Sequence, residues 1–230
     1  MTRRAYAGAA GAAGLLAAAV IAASLIGARA GESAPATEVS GGTTSALLSV
    51  PQSGPVLGRA DAPVTLVEFA DVQCPYCADW SHAAFAKVIR DYVRPGKVRI
   101  VFSGLAFIGP DSERGLRFAL AAGRQGKLWH AVHLLYASQG AENSLWLTND
   151  LLRQIGASIP GLDFERALRE SYSPEVDRQL AGSRQAATRL GVRGTPSFGA
   201  GRTGAAIQPV AASNLDAAAL RPALDSLLAR

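Results

Sequence analysis

The sequence predicts an α/β domain interrupted by a long helical stretch, and three observations carry that expectation. Residues 64–70, Val-Thr-Leu-Val-Glu-Phe-Ala, are β-branched and nearly continuously apolar, as a strand covered on both faces should be. A helical pattern follows directly, and Lys97 to Ser103 then alternates into a second strand with Val98, Ile100 and Phe102 on one face. From Asp111 to Leu190 the periodicity is helical almost throughout.

Composition narrows the classes of function. With 49% apolar and 18% charged residues, the 230-residue chain can bury a core, so a disordered chain is excluded. Of the net charge of +5, Arg3, Arg4 and Arg29 supply three; beyond residue 30 the balance is only +2. Twenty of the 23 cations are Arg, and none form a basic run, so the clustered cations of a nucleic-acid partner are missing. Two cysteines make no disulfide framework. They can make one local pair.

The first thirty residues read as an export device. Between Arg4 and Arg29 lie 24 uncharged residues rich in Ala, Gly, Leu and Ile, of which Leu15–Ile26 is strongly hydrophobic. A spanning anchor needs about 20 apolar residues and a signal-peptide core about 7–15. Ala28-Arg29-Ala30 has the small-x-small form of a cleavage site, and Arg3-Arg4 is a twin arginine. The expectation is therefore a signal peptide or a membrane anchor over 1–30, with membrane contact through residues 5–28 if uncleaved. Arg3 and Arg4 would stay in the cytoplasm, which places residue 31 onward outside. Residues 31–58, rich in Gly, Ser, Thr, Pro and Ala, read as a flexible tether, and the folded domain as 59–230.

After the first strand, Asp71-Val72-Gln73 turns the chain into Cys74-Pro75-Tyr76-Cys77 and a helix running to about Tyr92. Pro75 suits the first helical turn, where its missing N–H would be unpaired anyway. Side chains at i and i+3 of a helix start lie roughly 5–6 Å apart, within the reach of a disulfide. Cys74, outermost at the positive end of the helix, gains from the macrodipole when it ionises. Thiols so placed have pKa values of about 3.5–7 instead of about 8.5. Its thiolate would attack disulfides, and Cys77, deeper in the helix, would resolve the mixed disulfide. The competing readings are weaker. A disulfide between adjacent turns closes too short a loop to stabilise much. Zinc wants four ligands, and no second CxxC exists; His82, His130 and His133 read as surface or packing residues. No organic cofactor or metal is needed.

Val67-Glu68-Phe69 with Cys74-Pro75-Tyr76-Cys77, and later Gly191-Val192-Arg193-Gly194-Thr195-Pro196, resemble the DsbA-type thiol:disulfide oxidoreductases of the thioredoxin superfamily, in their exported or membrane-anchored bacterial form. The resemblance implies a thioredoxin-like fold with a DsbA-like helical insertion, here about 110–186. It also implies a role for Glu68. Alternation places Glu68 on one face with Val64, Leu66 and Ala70, where an unpaired carboxylate is costly. In similar proteins an acid there lies under the disulfide and helps move the proton of the buried thiol; the competing reading is an acid paired with an Arg. Sequence alone gives the Thr195–Pro196 bond about a 5–6% chance of being cis, whereas thioredoxin-like folds set a cis-proline loop against the CxxC. Pro75, Tyr76, Thr195 and Pro196 are then the candidate substrate-binding residues, with backbone beside Pro196 pairing to an extended peptide.

The insertion resolves into five helical segments. Leu116, Ala119 and Leu120 mark the first, and Leu128, Val132, Leu135 and Tyr136 the second. Thr148 or Asn149 caps the third, which Gly156 would end. Asp163 leads the fourth, and Val176, Leu180, Ser183, Ala187 and Leu190 line the fifth, closed by Gly191. After Pro196 the chain departs from the family pattern: 197–202 is glycine-rich, and 206–210 is a poor strand with Pro209 tolerated only at an edge. Leu220, Leu224, Leu227 and Leu228 mark a terminal helix, with Pro222 in its first turn or kinking it.

The functional expectation is dithiol–disulfide exchange with exported proteins carrying thiols or disulfides, most simply as an oxidase recycled by a membrane redox partner. Two readings compete: an isomerase or reductase of the same fold, and a non-catalytic extracellular binding module with a structural disulfide. An inert Cys74 thiol would indicate the second.

Overall fold

The computed structural model describes residue 47 and residues 49–212 and 214–229. Two short strands, β1 (Gln52–Ser53) and β2 (Val56–Leu57), open the fold. Next come β3 (Val64–Ala70), helices α1 (Pro75–Ala83) and α2 (Phe85–Val88), a π-helical turn at Ile89–Val93, and β4 (Val98–Gly104). Then follow α3 (Pro110–Gly123), α4 (Leu128–Ala137), α5 (Asn149–Ala157), α6 (Phe164–Glu170) and α7 (Pro174–Leu190). Strands β5 (Ser197–Arg202) and β6 (Gln208–Val210) and helix α8 (Ala217–Leu228) complete it. The strands make one sheet in the order β1-β2-β4-β3-β5-β6, parallel at β3–β4 and antiparallel elsewhere.

Strand β3 lies inside the sheet and is covered on both faces, which explains its unbroken apolar run. Val64, Leu66 and Ala70 join the main core with Trp80, Phe85, Ile89, Leu220 and Leu224. On the opposite face, Val67 and Phe69 pack with Ala186, Ala187 and Leu190 of α7. The helical insertion has its own apolar contacts, such as Phe118 against Phe164 with ring centroids 5.9 Å apart. It meets the helix after the CxxC through Phe85, whose ring stacks on Trp129 at 5.2 Å and touches His133 at 4.4 Å.

Several boundaries differ from the sequence expectation, each for a physical reason. Residues 52–57, read as the end of the tether, form the β1–β2 hairpin, and β2 pairs with β4 through Val56↔Val101 and Leu57↔Ile100. The single helix expected to Tyr92 breaks at Ala84 and ends in a π-turn, closed by Arg94 N–H donating to the Ile89 carbonyl at 2.8 Å. That turn buries Ile89, Tyr92 and Val93 together. Gly156 does not end α5; a Cβ there would lie 2.2 Å from the Phe164 ring, so the glycine admits a close helix contact. Thr148, Asp163 and Gly191 cap as expected, the last with φ +67°.

The glycine-rich segment after Pro196 is a strand after all. A Cβ on Gly199 would meet Ile207 at 2.7 Å and Leu190 at 2.8 Å, and one on Gly201 would meet the Ala206 carbonyl oxygen at 2.5 Å. Small residues here let β6 and α7 close on β5. Pro209 sits opposite Gly199 on the edge strand, where its lack of an N–H costs no ladder bond. Pro222 lies inside α8, beyond the first turn. The expected N-terminal apolar helix falls outside the described residues; among those described, no helix is long and apolar enough to cross a membrane.

Candidate active site

Cys74 is the N-cap of α1, with φ −72° and ψ 118°, and Pro75 opens the first turn. Both cysteines are free thiols in this structure, and both are buried, Cys77 fully and Cys74 to 5% exposure. The Thr195–Pro196 bond is cis, and its loop faces the cysteines: the Cys74 thiol donates to the Thr195 carbonyl at 3.2 Å. The two halves of the motif, 121 positions apart, thus meet at one sulfur.

The electrostatics divide the pair. The Cys74 thiol is lowered to about 6. Its largest cause is the Cys77 thiol, placed to donate to the ionised sulfur; burial opposes, and Thr195 and the Cys77 and Tyr76 amides add to the lowering. The helix terminus expected from the sequence therefore contributes, but behind the neighbouring thiol. Burial drives Cys77 far in the other direction, reinforced by its bond to Cys74 and by the charge there. One sulfur is an anion at neutral pH, and the other stays protonated. The rate of Cys74 alkylation against pH should therefore show a midpoint near 6, and a midpoint at the ordinary thiol value of about 8.5 would remove the basis of its reactivity.

Glu68 pairs across the sheet with Phe102 on one side and Phe198 on the other, and is 3% exposed. Its face is the one that α1 covers, beside Trp80, whose ring packs on Phe198 at 4.7 Å. Burial pushes its carboxyl up to about 8, and the Trp80 indole offsets part of that rise without itself reaching hydrogen-bond geometry. Among the described residues no Arg acts on it, so the ion-pair reading of Glu68 finds no partner there. At neutral pH this side chain is mostly a neutral acid.

The remaining expected site residues line the rim. Pro75 and Tyr76 are exposed, Tyr76 to 63%, and Pro196 is half-buried. Thr195 offers its carbonyl to Cys74. The histidines are as expected in kind. His133 is a core residue whose ring is bonded through Nδ1 to Ser81 and which burial keeps neutral, with its pKa lowered to about 3.

Sequence reasoning missed the frame that holds the motif. Asp71, fully buried, accepts from Gln73 N–H at 2.9 Å, Ser112 Oγ at 2.5 Å, and the Phe107 and Ile108 amides at 3.1 and 3.3 Å. Gln73 donates to Ser112 Oγ at 3.0 Å and accepts from Asn143 N–H at 2.9 Å. Gln139 Nε2 donates to the Val72 and Cys74 carbonyls at 2.8 and 3.2 Å. The turn 71–73 is visible in sequence as a turn. Its partners, up to 70 positions away, leave no local signal.

The fold has counterparts. The family model described as Thioredoxin matches residues 51–218. The chain is 33% identical over 144 residues to the probable disulfide bond formation protein D of Bacillus cereus, covering 61% of this chain and 67% of that protein. The oxidised BdbD structure from Bacillus subtilis superposes with a TM-score of 0.66 at 22% identity, over 79% of this chain and 98% of that one. A thioredoxin-like oxidoreductase from Silicibacter pomeroyi DSS-3 matches at 31% identity and a TM-score of 0.58, over 75% and 90%. The chain belongs to the thioredoxin family, as a DsbA-type thiol:disulfide oxidoreductase.

Proposed function

We propose that the protein acts outside the cytoplasmic membrane as an oxidase, transferring the Cys74–Cys77 disulfide to exported proteins. The observation that carries this reading is the acidity of Cys74. A substrate thiolate attacks Cys74 Sγ; the 74–77 bond breaks, and Cys77 leaves with the electron pair. Glu68, protonated at neutral pH, gives Cys77 its proton. A second substrate thiolate then attacks the substrate sulfur of the mixed disulfide and expels Cys74 as a stable thiolate. The substrate has lost two electrons and the enzyme has gained them. A membrane redox partner would remove them, and the cis-proline loop would hold the substrate as an added strand. The B. cereus relative is named for disulfide bond formation, which agrees with this direction.

A thiol with a pKa near 6 is about nine-tenths ionised at pH 7, which stabilises the reduced protein by about 1.4 kcal/mol, or about 30 mV. The measurement that tests the direction is the potential of the 74–77 pair against glutathione. It should lie above roughly −200 mV; a value near the roughly −270 mV of thioredoxin assigns the protein to reduction instead.

A further inference from the structure

Residues 178–215 hold five arginines and no lysine, aspartate or glutamate. Two of the five are engaged: Arg178 is bonded to Glu175, and Arg202 donates to the Leu227 carbonyl at 3.3 Å. Arg184, Arg189 and Arg193 are exposed, and their guanidinium groups have no hydrogen bond, ion pair or ring contact among the described residues. Earlier in the helical region the arginines are used differently. Arg117, Arg124 and Arg166 each hold a carboxylate, at 2.8, 2.7 and 2.9 Å. The helix macrodipole favours a cation in a last turn, which accounts for Arg189 at the end of α7. It does not account for Arg184, before that turn, or for Arg193, beyond the Gly191 cap.

The three cations border adjoining hollows that begin at the cis-proline. The first hollow lies between the cis-proline loop and the edge strand β6, bordered by Arg193, Pro196, Leu190 and Pro209. The second shares Leu190 and Pro209 with it, and is bordered by Arg189 with Val67 and Ile207. The third, on the outer face of α7, shares Arg189 with the second and adds Arg184. Thr195, whose carbonyl meets the Cys74 thiol at 3.2 Å, stands two residues from Arg193, so their Cα atoms are at most about 7.6 Å apart. Together the hollows form a trough with apolar walls and cationic borders, and one end of it opens beside the reactive sulfur.

We propose that this trough binds an extended segment of the substrate polypeptide and selects segments carrying aspartate or glutamate roughly two to four residues from the reacting cysteine. An extended chain rises about 3.3 Å per residue, which brings a carboxylate in that interval level with the nearer arginines. Guanidinium groups pair with carboxylates in a planar, two-pronged fashion. Alternate side chains of the segment would rest on Leu190, Ile207 and Pro209. A flat lipid surface would meet the outer face of α7 but not the half-buried Leu190 and Ile207, whereas a single chain reaches both. Given exchange at Cys74 with substrate against the cis-proline loop, the reading on which this rests, the arginines decide which substrates are preferred.

The test uses single-cysteine peptides of one sequence, with two glutamates, two glutamines or two lysines placed two and four positions from the cysteine, on either side of it. The rate at which each opens the 74–77 disulfide of the full chain is divided by its rate with hydroxyethyl disulfide, which removes differences in thiol reactivity. Each exposed pair contributes roughly 1.4- to 5-fold, so two glutamates should speed opening roughly 2- to 25-fold over two glutamines, and lysines should slow it. The preference should appear on one side of the cysteine only, because the trough leaves Pro196 in one direction, and should fade in about 0.5 M salt. Arg184→Gln/Arg189→Gln/Arg193→Gln should bring the ratio of glutamate to glutamine peptide to one. Equal opening by all peptides in the wild type, or a preference that survives in the triple variant, overturns the proposal and leaves the exchange reading standing. Equal opening together with binding to phosphatidylglycerol vesicles that the triple variant loses gives these cations to a lipid surface instead. A disulfide that no peptide opens overturns the exchange reading and this proposal together.

Discussion

Cys77→Ser turns a catalyst into a trap. The variant keeps Cys74, its N-cap geometry and a hydroxyl in place of the thiol that donates to it, so Cys74 should stay acidic and reactive. What disappears is the intramolecular nucleophile. On the roles proposed above, wild-type Cys77 would react with a mixed disulfide at Cys74 at the high effective concentration of a tethered group. Without it, release falls to uncatalysed disulfide rearrangement, which takes minutes to hours. Incubation with oxidised glutathione should give a stable adduct of one glutathione at Cys74, seen by intact mass, living at least roughly a hundredfold longer than in the wild type. With unfolded secreted proteins the same variant should accumulate mixed disulfides on non-reducing gels. Adducts that clear at the wild-type rate would mean that Cys77 does not resolve them. An absence of any adduct would favour the binding module, whose Cys74 is inert.

How much of this was readable in advance depends on range. The strand 64–70, the CxxC helix start and the capping residues Thr148 and Asp163 are local patterns, and the structure has them in place. The Thr195–Pro196 loop was readable only through the family resemblance, since nothing in 191–196 alone points to Cys74. Where local pattern misled, tertiary contacts explain it. Gly199 and Gly201 look like loop residues because a strand with side chains there could not approach Leu190 and Ala206. Gln52 and Val56 look like tether because two-residue strands carry no periodicity. The Asp71 frame was invisible for another reason: one buried carboxylate collects donors from residues 73, 107, 108 and 112, and no spacing rule links them. Tyr136 was legible as core, one of four apolar positions on its helix.

Glu68→Gln should separate chemistry from stability, because the same burial governs both. The carboxyl titrates at about 8 in the folded protein and at roughly 4.3 unfolded. Between those values the folded state holds a proton that the unfolded state has lost, so stability falls as pH rises through the window and levels off above 8. The full loss is of order 3–5 kcal/mol. Measured with the 74–77 disulfide closed, so that neither thiol titrates, the wild type should become less stable from pH 5 to 8 and Glu68→Gln should not. The variant should equal the wild type near pH 4 and exceed it at pH 8. Exchange should move the other way. Gln keeps the shape but cannot give a proton to departing Cys77, so opening of the disulfide should slow roughly a hundredfold at pH 7. Corrected for the attacking thiolate, the wild-type rate should decline above pH 8 as the acid is lost, and the variant should lack that limb. Unchanged exchange together with a fall in stability would make Glu68 a structural residue and leave Cys77 to take its proton from water.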